Sequence, residues 1–102
     1  MTEYSVIYKK DEGTVELKGH SGYADHGFDI VCASISTVTI LTANLYERLE
    51  LGYNILDLVV EEGYLRLQVK LNDKVSKGIF ENLVDALDSL QEQYPKYIKK
   101  KN

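Results

Sequence analysis

The run from Tyr53 to Leu71, YNILDLVVEEGYLRLQVKL, limits what this chain can fold into more than any other. Leu56, Leu58 and Val60 fall on one face of a strand, and Leu65, Leu67, Val69 and Leu71 on one face of the next. Glu61, Glu62 and Gly63 supply the turn. A hairpin with one apolar face is marginal in water and needs another layer over it. The cover follows directly in sequence. Asn72 or Asp73 can cap a helix whose stripe is Val75, Ile79, Leu83, Leu87 and Leu90, with Pro95 at its end.

The first half repeats the pattern. Tyr4 to Tyr8 and Thr14 to Lys18 read as strands joined by a polar turn from Lys9 to Gly13, with Val15 and Leu17 on one face. Ser21 to Phe28 reads as a loop. Asp29 then caps a helix whose stripe is Val31, Ile35, Val38, Leu45 and Leu49, ending at Gly52. The order ββαββα predicts a single α+β domain over residues 1–102. Its architecture is a two-layer sandwich, a mainly antiparallel four-stranded sheet covered by two helices.

Charge and composition remove several functional classes. A formal net charge of −4 argues against a general nucleic-acid binder. The tail KYIKKKN gathers Lys96, Lys99, Lys100 and Lys101, and reads as a frayed, solvated end. One cysteine cannot form an internal disulfide. The opening MTEYSVIYKKDEG lacks the apolar core of a secretory signal. The uncharged window between Asp29 and Glu47 is short for a bilayer and dotted with Ser and Thr. A soluble cytoplasmic protein is expected.

Both histidines, the cysteine and three of the seven glycines lie between Gly19 and Ser36, in GHSGYADHGFDIVCASIS. With Asp29 as cap, Cys32 is the third helical residue. Free backbone N–H groups and the helix dipole there favour a thiolate. His20 ends a strand, and the loop can return it to Cys32 as a base that later protonates a leaving amine. The N–H groups of Val31 to Ala33 can serve an oxyanion. Ser36 lies one turn after Cys32, where it either bonds near the thiolate or back-bonds to the Cys32 carbonyl. Residue types alone do not establish an enzyme. Small buried cysteines, idle strand-end histidines and capping aspartates are common. Asp25 and His26 beside His20 and Cys32 match no strong zinc spacing, so no metal and no cofactor is expected.

The run Gly19-His20-Ser21-Gly22-Tyr23, then Gly27-Phe28-Asp29-Ile30-Val31-Cys32-Ala33 and Ser36, resembles the signature of the Prp family of ribosomal-processing cysteine proteases. The resemblance extends over essentially the whole chain. It implies a small bacterial cytoplasmic endopeptidase, usually a homodimer. Such an enzyme removes a short N-terminal extension from a large-subunit ribosomal protein at a hydrophobic, phenylalanine-containing motif. It implies Cys32 as nucleophile and His20 as general base. Asp29 and Ser36 match further motif positions, and Gly19, Gly22 and Gly27 match the loop glycines.

Three expectations accompany this reading. Ile40 and Ala43, away from the main stripe, mark a face for a second copy. Ser21 to Phe28 forms a lid hinged at Gly22 and Gly27, with Tyr23 near substrate. The competing functions are a non-catalytic module that binds a ribosomal protein, and a thiol redox sensor.

Overall fold

The computed structural model describes residues 2–19 and 26–102. The elements are β1 (Thr2–Lys9), β2 (Glu12–Lys18), α1 (His26–Arg48), a 3-10 turn (Gly52–Asn54), β3 (Ile55–Glu61), β4 (Tyr64–Lys70), α2 (Lys74–Gln93) and β5 (Ile98–Lys100). They form an α+β sandwich whose sheet has the order β3-β4-β2-β1-β5. β1–β2, β2–β4 and β3–β4 are antiparallel, as the alternating runs predict. The sheet has five strands rather than four, because β5 pairs parallel to β1. The lysine-rich tail is therefore not frayed. Ile98 is fully buried, and Lys101 N donates to Tyr4 O at 2.7 Å. Burial of one apolar residue and the free edge of β1 together recruit a strand too short for periodicity to show.

The core lies between the sheet and the two helices. Tyr4, Val15, Leu17, Leu65, Leu67 and Val69 meet Val31, Ile35 and Tyr46 of α1 and Ile79, Phe80, Leu83 and Leu87 of α2. Gly13 is required by this packing. A Cβ there would fall 2.7 Å from Phe80 Cε2 and 3.0 Å from Leu71 Cδ1, well inside van der Waals contact. Asp73 caps α2, its carboxylate accepting from Ser76 N at 2.8 Å, as the sequence suggests. Val75 does not join the stripe of α2 but is exposed.

The buried face of α1 also differs from the expected stripe. Val31 and Ile35 are buried, but Leu45 and Leu49 are exposed, while Thr39, Thr42, Ala43 and Tyr46 are buried. Hydrogen bonding makes part of this polar face acceptable inside. Tyr46 Oη donates to Ser76 O at 2.8 Å, and Thr42 Oγ1 to Val38 O at 2.6 Å. Ala43 thus belongs to the core rather than to an exposed face. Ile40 stays outside, with Leu41 and Leu45. Residues Asp29–Arg48 are long and apolar enough to cross a membrane by length and composition. One side of this helix is nonetheless packed into the protein core.

α1 ends without a glycine. Glu50 takes the left-handed conformation (φ 61°), with Leu51 N donating to Tyr46 O and Glu50 N to Glu47 O. The expected stop at Gly52 is replaced by this motif two residues earlier. β3 sits at the sheet edge. Leu56 is the extra residue of a bulge between Ile55 and Asp57, while Leu58 and Val60 pair with Leu67 and Leu65. Leu58 and Val60 therefore point to the helix side, yet both remain exposed beyond the cover of α1.

Candidate active site

α1 begins at His26, three residues before the expected cap. Asp29 lies in the first helical turn rather than at the cap, and Cys32 is the seventh helical residue. This matters electrostatically. The dipole acts mainly within the first turn, and Cys32 lies in the second. The N–H groups of Val31 to Ala33 also lie beyond the four unpaired donors of the helix start, so they are not available to an oxyanion. Gly27 and Phe28 belong to the helix, not to a lid. His20, Ser21, Gly22, Tyr23 and Asp25 lie outside the described residues, and the proposed lid falls mainly among them.

Cys32 is half-buried and free of any disulfide. Burial pushes its thiol pKa up, because water no longer supports the charged form. The Asp29 carboxylate adds a smaller upward push. The expected acidification by the helix start is therefore not what this environment produces: the thiol rests above the ordinary cysteine value. Asp29 is exposed on α1, and its charge opposes the thiolate rather than supporting it.

Ser36 stands one turn after Cys32 and is half-buried. The back-bond to a preceding carbonyl is made in this region by Ser34, whose Oγ donates to Ile30 O at 2.8 Å. Gly19 follows β2, and its N–H donates to Gly63 O at 3.0 Å. This bond ties the residue before His20 to the β3–β4 turn. The structure thus brings Cys32, Ser36 and Asp29 onto one helix.

A short α+β sandwich that presents one half-buried thiol on its first helix suits a thiol-dependent hydrolase. The chain belongs to the cysteine protease Prp family, whose model matches residues 1–99, and it is a cysteine peptidase. It is similar to SMU.848 from Streptococcus mutans, with 29% identity, a TM-score of 0.79, and coverage of 99% of this chain and 92% of that one. It shares its fold with an essential ribosomal processing protease Prp from S. aureus solved with a substrate peptide. There the identity is 20%, the TM-score 0.81, and the coverage 98% of this chain and 97% of that one. The same S. aureus protease solved with a covalently linked product peptide matches at 22% identity and a TM-score of 0.75, with the same coverage. A search of curated protein sequences finds no match.

Proposed function

We propose that this chain is a bacterial cytoplasmic endopeptidase that removes a short N-terminal extension from a large-subunit ribosomal protein. Cys32 is the nucleophile and His20 the general base and acid. The observation that carries the reading is the half-buried thiol of the chain's one cysteine on α1, within a domain that belongs to the family along nearly its entire length. His20 takes the thiol proton as Sγ attacks the scissile carbonyl carbon. The tetrahedral intermediate collapses, the C–N bond breaks, and His20 returns the proton to the leaving amine. Water then attacks the thioester, His20 accepting its proton. The acyl product leaves as a carboxylic acid and the thiol is restored. No metal or cofactor enters these steps.

The S. aureus relative binds a substrate peptide and forms a covalent link to a product peptide, which supports a peptide substrate for this chain too. The direct test is digestion of synthetic peptides that carry a hydrophobic, phenylalanine-containing motif after a short extension, read by mass spectrometry. A single cut at the motif is expected. Intact peptide retained by the protein marks a binding module, and intact, unbound peptide excludes both readings.

The chain functions as a homodimer. Leu41, 64% exposed, lies with Ile40 and Leu45 on the uncovered side of α1, and Leu58 and Val60 add an uncovered apolar edge on β3. Side chains of this size left in water favour a second copy as cover. Sedimentation of the wild type at high micromolar concentration should give a dimer, and Leu41→Glu with Leu58→Glu should give a monomer of unchanged circular dichroism. A wild type that sediments only as monomer refutes self-association. A dimer that survives both substitutions places the interface elsewhere.

A further inference from the structure

β2 stops at Lys18, but its pairing with β4 goes one step further. Lys18 pairs with Tyr64, and in an antiparallel register the next residues to meet are Gly19 and Gly63. They do meet, since Gly19 N–H donates to Gly63 O at 3.0 Å. Gly63 lies in the turn between β3 and β4 and has a left-handed backbone (φ 77°), which glycine adopts at little cost. A second contact runs the other way. A Cβ on Gly63 would stand 3.1 Å from Gly19 O, inside ordinary van der Waals contact. Gly19 is hemmed in at its Cα as well. A Cβ of its own would fall 2.7 Å from Thr2 Oγ1. Thr2 is nearly fully buried and β-branched, so it has little freedom to move aside. Its backbone is anchored too, its N–H donating to Tyr97 O at 2.9 Å and the residue pairing with Ile98 of β5.

We propose that Gly63 is a positioning residue for His20, acting through the backbone of Gly19. The Gly19 carbonyl and the His20 nitrogen share one planar peptide unit, so a push on that oxygen turns the unit from which His20 departs. Thr2 bars movement at the Gly19 Cα, so the displacement passes on to the residue that follows. A general base has to bring its nitrogen within hydrogen-bond reach of the thiol proton, and a misplacement of about 1 Å costs on the order of a hundredfold in rate. Gly63 moves no proton, and its role needs no contact with the thiol. It fixes the backbone step immediately before the base, from a turn more than forty residues further along the chain. This inference rests on His20 being the general base.

The test compares Gly63→Ala, Gly63→Asn and Glu62→Ala in the full-length chain, with Gly63→Ala also placed on a His20→Ala background. Peptide cleavage is measured beside the circular dichroism and thermal melting of each. Gly63→Ala puts a Cβ at the Gly19 oxygen and strains the backbone. Gly63→Asn puts the same Cβ there but tolerates the left-handed conformation better. Both should lower kcat by about tenfold to a hundredfold with KM nearly unchanged, while Gly63→Asn melts nearer the wild type than Gly63→Ala. Glu62, exposed in the same turn, serves as the control, and Glu62→Ala should leave kcat unchanged. On the His20→Ala background, at alkaline pH where the residual rate is highest, Gly63→Ala should cost less than about a further twofold, because the group it acts through is gone. A merely structural role would make the rate follow the melting temperature and would repeat the loss in both backgrounds. Should Gly63→Ala fail to fold, Gly63→Asn takes its place in every comparison of rate. Folded Gly63 variants with wild-type kcat, or a loss undiminished without His20, overturn the proposal. Failure of His20 as the base shows separately, as a His20→Ala variant that cleaves at the wild-type rate, and it removes the proposal with it.

Discussion

Cys32→Ala should fold as the wild type does and lose cleavage by at least about a thousandfold. The thiol is half-buried at the surface of α1 rather than in the core, so its removal should change stability by no more than about 1 kcal/mol. Cys32→Ser keeps the shape but offers an oxygen of far higher pKa, and it should be nearly as inactive. The check is a digest of the same peptide by purified, folded variants, alongside a binding measurement on Cys32→Ala. Retained binding with lost cleavage places the thiol in the chemistry rather than in recognition. A near wild-type rate from Cys32→Ala would remove it from the mechanism.

His20→Ala should lower kcat by about a hundredfold to ten-thousandfold. The reason lies in the state of the thiol. Burial disfavours the thiolate, so the Cys32 pKa in the free protein lies above the ordinary value of about 8.5. The sign follows: below that pKa the sulfur carries its proton, and only a partner that accepts it can generate the nucleophile near neutrality. In the wild type, cleavage should rise as a histidine deprotonates, near an ordinary histidine value of about 6.5. In His20→Ala that rise should vanish, leaving a slow rate that climbs only as the thiol itself ionises at alkaline pH. Initial rates measured from about pH 5 to about pH 10 separate the two profiles. An unchanged profile in the variant would assign the proton transfer to another group.

The two hairpins were legible because alternation survives wherever one face meets the core. Leu65, Leu67 and Val69 read correctly for that reason, and Asp73 did so because a cap bonds within three residues of itself. Two features were hidden. β5 pairs residues whose partners lie at the opposite end of the chain, so no local pattern announces it, and its lysines suggest solvent. The buried face of α1 was misread because Thr39, Thr42 and Tyr46 look polar in sequence but are accommodated by packing and, for the latter two, by hydrogen bonds. The same limit applies at the site. Resemblance pointed to Cys32 through a contiguous motif. The helix that carries it begins four residues earlier than the sequence suggests, because Asp29 is as good in a first turn as at a cap.

The parallel pairing of β5 with β1 has a further consequence for how the molecule comes into being. Synthesis runs from the N-terminal side onward, yet Thr2 of the first strand pairs with Ile98 of the fifth. Closing a loop of that length is entropically costly and has to await the late residues. Until they arrive, β1 has a bare edge and its first residue lacks the backbone bond to Tyr97. β1 is therefore fastened on this side by a segment made long after it. A partly made polypeptide can hold every residue of the Gly19–Ser36 motif while the edge of β1 is still bare, so the order of translation itself delays the finished sheet until residues 98–100 have emerged.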